Sequence, residues 1–215
     1  MPDDESNQAA VANVETAAEV LQHIRAHIGP VDSVFHEIGA GRIAIDIHHV
    51  PPGEGRQSHT LVTSGMSDRR MPEGGGVRYG ELVMRLPPDW ALDEEALEDD
   101  SRAWPLALLR ALGRLPFATG CAFDFGLYLD DSGLPFSMAS DTGFSGVMLA
   151  PPVTVKDSFW CLEAAGGKII DFLGVVMLFP QELAFAREQG VVALARALDR
   201  LSVNELVQVG RRLAV

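Results

Sequence analysis

The six histidines of this chain are the side chains best suited to chemistry, and their spacing sets what chemistry that would be. His23 and His27 stand four residues apart, which puts two imidazoles on one helix face, a spacing that can hold a metal ion. The segment reads H-I-R-A-H, without the glutamate of a zinc-protease helix, so a pair with no metal is expected. His36-Glu37, Asp46, His48, His49 and His59 form a second group of metal-ligand or acid–base character. On a strand, His48 and His49 project to opposite faces and cannot simply share one ion. Asp46 and His48 share a face, and a third ligand would come from His36 or His59 on a neighbouring strand. That arrangement would make a metal-assisted hydrolase, the alternative to the commoner use of such histidines in structure or partner contact.

Other candidates are weaker. Ser64-Gly65-Met66-Ser67-Asp68 partly matches a G-x-S-x-G nucleophile turn but lacks the second glycine and a following helix. Two readings stay open for it: polar groups that touch a partner, or a turn whose Asp68 accepts backbone N–H groups. Glu73-Gly74-Gly75-Gly76 lacks the Lys-Ser/Thr of a phosphate loop and reads as flexible linker. Trp90, Trp104 and Trp160 are expected in or beside the core. Cys121 and Cys161 match no zinc or redox spacing, and their apolar neighbours predict buried free thiols. No catalytic residue, metal or cofactor is expected on this reading.

Composition narrows the class. The chain has 215 residues, 47% of them hydrophobic, enough for one sizeable core. The longest apolar run, Phe172 to Phe179, has strand length, so no membrane span is expected. The acidic start (Asp3, Asp4, Glu5) lacks the layout of a signal peptide, and a cytoplasmic protein is expected. The net charge of −13 disfavours nucleic acid and anionic membrane as partners. It suits either simple solubility or attraction to a basic protein partner, and a homodimer is a further option.

Elements that would position these groups can be read from periodicity. Residues 1–8 are expected as a disordered tail, followed by one domain over 9–215. Val14, Ala17, Ala18, Leu21, Ile24 and Ile28 predict a helix ended by Gly29-Pro30. Strands are predicted at Val34 to Ile38, around Ile43–Ile47, at Thr60 to Ser64 and at Tyr79 to Leu86, in an antiparallel meander. Asp89 to Arg102, with seven acids against one base, reads as a solvated loop or helix face. Trp104 to Leu115 predicts a helix with Pro105 in its first turn. Phe123, Phe125, Leu127 and Leu129 alternate as a strong strand, and Ser137 to Gly146 reads as a loop. Val147 to Leu149 and Ser158 to Glu163 are weaker strands, and Lys168 to Phe179 is a strand buried on both faces. Pro180 opens a helical segment divided by Gly190, and Ser202 is expected to cap a last helix bearing Leu206, Val209 and Leu213. The sum is an α+β fold: a single domain with a mostly antiparallel mixed β-sheet flanked by N- and C-terminal helices.

Five motifs carry a family resemblance. They are I-D-I-H-H-V-P-P (Ile45 to Pro52), L-V-T-S-G-M-S-D (Leu61 to Asp68), Y-G-E-L-V-M-R-L-P-P-D-W (Tyr79 to Trp90), W-P-L-A-L-L-R-A-L-G-R-L-P (Trp104 to Pro116) and D-F-L-G-V-V-M-L-F-P-Q-E-L (Asp171 to Leu183). In this order they resemble the suppressor of fused (SUFU) domain family, over roughly Val34 to Leu201. At Phe125 to Gly133 the chain departs from the Gly-His-Thr-like stretch common in that family. The resemblance implies a non-enzymatic module that grips a protein partner by strand addition, in small bacterial members including immunity proteins against a toxin. The partner-binding candidates it suggests are Ser64, Met66, Ser67, Asp68, Arg69, Tyr79 and Glu81.

Overall fold

The computed structural model describes residues 3–37, 43–133 and 142–215, with side chains of the first helix from Glu15 onward. The elements are α1 (Asp3–His27), β1 (Ser33–Phe35), β2 (Asp46–Val50), β3 (His59–Ser64), β4 (Gly80–Leu86), α2 (Asp100–Thr119), β5 (Tyr128–Asp130), β6 (Gly146–Ala150), β7 (Cys161–Ala164), β8 (Lys168–Leu178), α3 (Pro180–Gln189) and α4 (Val191–Arg200). Ile38, the side chain of Val14 and residues 137–141 of the Ser137–Gly146 loop lie outside the described residues.

The strands form one sheet in the order β1-β2-β3-β4-β8-β6-β5, with β7 also paired to β8. Every pairing is antiparallel except β4 with β8. This is the expected α+β domain with a mixed, mostly antiparallel sheet. Alternation along each strand feeds two layers. Leu82, Met84 and Leu86 of β4 and Leu173, Val175 and Met177 of β8 face α2, which contributes Leu106, Leu108, Leu109, Leu112 and Leu115. On the opposite face Val83, Ile170 and Phe172 meet Val20 and Ile24 of α1. Further along that face Met148, Val176 and Leu178 meet Leu183, Ala186, Leu194 and Leu198 of α3 and α4. Apolar burial of this extent, at about 25 cal/mol per Å² removed from water, dominates the stability.

Several boundaries differ from the sequence reading. Helix α1 begins at Asp3, inside the expected tail, in a stretch rich in Glu, Gln and Ala, which favour helix. Its buried face runs through Thr16, Val20, His23 and Ile24, so it includes polar residues and leaves Ala18 exposed. Helix α2 starts at Asp100, with the Asp99 carboxylate accepting from the Ser101 N–H at 2.8 Å, so Pro105 lies inside the helix rather than in its first turn. The alternating stretch from Phe123 forms a strand only at Tyr128–Asp130, because a turn joins the Leu127 N–H to the Asp124 carbonyl at 3.2 Å. Cys161 is exposed and Cys121 half-buried, since both lie at element ends rather than in the core.

The last helix does not form. Helix α4 ends in a Schellman turn: the Val203 N–H bonds the Leu198 carbonyl at 2.9 Å and the Ser202 N–H bonds the Asp199 carbonyl at 2.9 Å. Ser202 therefore takes a left-handed conformation (φ 55°) instead of capping a new helix. Beyond it the chain runs extended beside β4. The Arg85 N–H donates to the Glu205 carbonyl and the Val207 N–H to the Arg85 carbonyl, both at 2.8 Å. Here β8 has left β4 to pair with β6, and the C-terminal segment fills the gap. Arg211 completes it: its guanidinium grips the buried Glu182 carboxylate through both nitrogens and donates to the Met177 carbonyl of β8 at 2.9 Å. Burial pushes the Glu182 carboxyl up, but Arg211 and the Phe179 and Ala214 N–H groups outweigh it and hold the group below its ordinary range.

Candidate functional site

The turn after β3 is the structural core of the motif singled out in the sequence. Gly65 has φ +106°, and a Cβ there would lie 2.2 Å from the Ala44 carbonyl oxygen, so only glycine fits. A short 3₁₀ turn, Met66–Asp68, follows. Glu81, on the adjacent strand β4, is fully buried beneath it. One carboxylate oxygen accepts from the Gly65 and Ser67 N–H groups at 3.1 and 2.9 Å, and the other accepts from the Thr63 hydroxyl at 2.6 Å. The Thr63 hydroxyl oxygen in turn accepts from the Leu82 N–H at 2.8 Å, so side chains replace a rung of the β3–β4 ladder. Burial pushes the Glu81 carboxyl above its ordinary range, against the opposing hydrogen bonds from Ser67 and Thr63.

The seven candidates thus divide. Met66, Ser67 and Glu81 are fully buried and Ser64 nearly so, and together they shape the turn. Asp68 and Tyr79 are half-buried and Arg69 is exposed. Burial pushes the Asp68 carboxyl up, opposed by Lys168 and Arg69. Lys168, the first residue of β8, places its ammonium 4.8 Å from the centre of the Tyr79 ring and 3.4 Å from the Thr16 hydroxyl of α1. Asp68, Tyr79 and Lys168 therefore form a polar rim where the 3₁₀ turn, β4, β8 and α1 converge. Sequence reasoning missed Lys168, whose only signal was its place at the opening of a nearly continuous apolar run.

The histidines do not assemble the metal-ligand set. His36 turns to Asp46 (2.9 Å), while His48 shares a hydrogen bond with the Ser64 hydroxyl (2.9 Å). His59 lies on the other face of the sheet from His48 and meets His49. Among the described residues no group of three or more His, Cys, Asp and Glu converges as a metal site. The sequence alternative built on Asp46, His48 and a neighbouring histidine lacks its geometry. On α1, His23 donates to the Phe159 carbonyl at 3.0 Å and packs against both the Phe159 and Phe172 rings, which also touch each other, so it serves packing. Trp90 and Trp104 are buried, as expected, and Trp160 bonds the Pro152 carbonyl.

His49 and His59 instead make a directed chain. The Pro88 carbonyl can only accept, so His59 donates to it through Nε2 (3.3 Å) and accepts at Nδ1. His49 then donates from Nε2 to His59 (2.8 Å) and accepts at Nδ1 from the Ser33 hydroxyl (3.1 Å). Burial, reinforced by the His59 neighbour, lowers the His49 pKa to about 4, with Asp32 opposing and Arg56 assisting.

Two outcomes follow. Glu81→Ala leaves two backbone N–H groups and the Thr63 hydroxyl buried without their acceptor, and is expected to cost about 3 kcal/mol in chemical denaturation. Asp68→Asn, at the half-buried rim, is expected to change stability by less than about 1 kcal/mol. For His49 the folded state binds its proton more weakly than the unfolded state. Its contribution is therefore complete above the ordinary histidine pKa and is lost as pH falls toward about 4. Denaturation curves across that window are expected to lose up to roughly 3 kcal/mol, and His49→Gln to flatten the loss.

Comparison with known proteins places this architecture. The suppressor of fused protein (SUFU) family model matches residues 41–212. A comparison with curated proteins finds no match. Among solved structures, a SUFU homolog from Neisseria gonorrhoeae superposes with a TM-score of 0.66 at 15% identity, covering 94% of this chain and 98% of that one. A chain of the Sufu–Fu complex superposes with a TM-score of 0.57 at 18% identity, covering 86% of this chain and 84% of that one. At these identities the structural matches speak for the fold, and the family match spans most of the sequence. The chain belongs to the suppressor of fused (SUFU) family.

Proposed function

We propose that the chain is a non-enzymatic protein-binding module that takes an extended segment of its partner as an added strand. Family membership supports the class, and a structural neighbour of the same fold is seen in complex with Fu. The observation that carries the mode is the β5 end of the sheet. Residues 123–129 alternate as a long strand, yet only Tyr128–Asp130 is paired. The bonds from the Leu149 N–H to the Leu127 carbonyl and from the Asp131 N–H to the Ser145 carbonyl fix which groups face β6. Alternation turns the N–H and C=O of Tyr128 to the other side, where a partner strand would pair.

The net charge of −13 favours a basic partner, drawn in faster and held more selectively. Within the family, the finer reading is an immunity protein that neutralises a toxin. The polar rim of Asp68, Arg69 and Tyr79 offers a second contact, with Ser64, Met66, Ser67 and Glu81 acting from beneath by holding the turn. Among the described residues no helix is long and apolar enough to cross a membrane.

The test is capture of the partner from the native cells, followed by quantitative binding to Tyr128→Pro. Proline removes the outward N–H while leaving the bonds toward β6 in place. Retained melting temperature with binding weakened about tenfold or more supports strand addition at β5. Unchanged affinity in a folded variant moves the contact elsewhere.

A further inference from the structure

Helix α1 lies on the sheet by side chains alone. Among the described residues no backbone bond joins it to a strand. Val20 and Ile24 enter the core beneath it. The other contacts are polar. Thr16 meets Lys168, the Glu19 carboxylate accepts from the Ala165 N–H at 2.9 Å, and His27 shares a hydrogen bond with the Ser158 hydroxyl at 3.1 Å. The root of the helix, by contrast, is fixed. Arg56 donates to the Ile28 carbonyl and the Pro51 carbonyl, both at 2.6 Å, and the Asp32 N–H donates to the His49 carbonyl at 3.0 Å. Lifting α1 about this root breaks no rung of the sheet.

Two imidazoles sit inside the contact. His23 is 9% exposed, donates to the Phe159 carbonyl and lies against the Phe159 and Phe172 rings. His27 follows one turn on, its ring centroid 4.4 Å from that of His23. Neighbouring elements turn no bonded carboxylate to His23. Lys156 and Asp157, beside Ser158, are exposed. Alternation sets Glu163 of β7 and Asp171 of β8 on the face away from α1, since Leu162, Ile170 and Phe172 face it. Lys168 is at the Thr16 end, where Asp68 and Glu81 act on it. Arg25 of α1 is exposed and bears on His48, a second buried imidazole, which Asp46 and His36 also face. Burial lowers the His23 pKa, with the Phe159 carbonyl opposing and His27 assisting. A proton therefore binds undocked α1 more readily than docked α1. The contribution of His23 to docking is complete above the ordinary histidine range and is lost as pH falls below it.

We propose that α1 is an acid-released strap: charging His23 lifts the helix from the sheet and uncovers the rim of Asp68, Tyr79 and Lys168. The cost falls where charge is buried against two aromatic rings and a second imidazole. Release frees Lys168 from Thr16. It also opens the side of the rim where Asp68 Oδ1 is buried without a hydrogen-bond partner among the described residues, an acceptor that a partner's donor would meet. The consequence for binding rests on the protein-binding reading above. The strap itself is tested on the free protein, so each fails by its own measurement.

The experiment is native-state amide hydrogen exchange of the free protein at pH 7.5 and 5.5, corrected for intrinsic rates, comparing residues 20–27 of α1 with β8. The α1 amides are expected to open more often than those of β8 at both values. Their opening constant is expected to rise about tenfold between the two, the change due to one histidine that is charged only when undocked. In His23→Phe, which keeps an aromatic ring and cannot take the proton, the rise is expected to shrink to threefold or less. The proposal is overturned if α1 and β8 share one opening constant, if α1 opening is the same at both values, or if the full rise persists in His23→Phe. A ring titration of His23 by NMR in the parent chain stands independently of whether that variant folds. Titration below the ordinary histidine range supports the strap, and titration within it overturns the proposal.

Discussion

The sheet depends on how the gap between β4 and β8 is closed. These two central strands run parallel only from Gly80 to Val83 against Asp171 to Gly174. Beyond that point β8 continues with β6, and β4 is left with unpaired backbone in the interior, where an unmet N–H or C=O is costly. The C-terminal segment meets both sides, Arg85 through Glu205 and Val207 and β8 through Arg211 on the Met177 carbonyl. Gly174 lets it approach: a Cβ there would stand 3.2 Å from the Ala150 carbonyl oxygen and 3.3 Å from the Glu205 Cβ. Glu205, itself fully buried, accepts from the Thr154 N–H at 2.8 Å and from its hydroxyl.

Buried charge is spent in two ways in this fold. Glu182 is paired with Arg211 and held below its ordinary range, so its contribution is lost as pH falls. Glu81 has backbone and hydroxyl donors but no bonded cation, and burial raises it, so its cost grows as pH rises through its folded value. The first clamps the C-terminal segment, and the second sets the turn that presents Asp68 and Arg69. The His49–His59 chain adds a third constraint, tying β1 and β2 to the turn after β4.

Much of this was legible in the residues. The Lys168–Phe179 run announced β8 because a strand covered on both faces needs no polar alternation. The β2–β4 meander and α2 followed from period and punctuation. The C-terminal segment was misread because Leu206, Val209 and Leu213 repeat at helical spacing. Local bonds decide otherwise: the Schellman turn at Ser202 and the Asn204 side chain accepting from the Leu206 N–H at 2.9 Å direct the chain outward into the gap. Phe123 to Leu127 failed as strand because the turn from Asp124 to Leu127 overrides their alternation, and only Tyr128–Asp130 pairs with β6 as a strand. The site was half legible. Ser64 to Asp68 is a special turn, and of the two readings left open for it the turn held by a carboxylate is the nearer, with Glu81 filling the acceptor role the sequence had given to Asp68. A carboxylate near the start of an apolar strand was the available sign of that burial.

Amide hydrogen exchange on the unliganded protein is the most direct test of this division between closed interior and open edge. The Arg85 and Val207 amides are predicted to exchange as slowly as those of β8, opening only with global unfolding, and the Tyr128 amide to exchange quickly from the native state. Fast exchange at Val207 would mean that the C-terminal segment does not close the sheet. A Tyr128 amide as protected as Val207 would mean that the β5 edge is already occupied, and strand addition there would be contradicted.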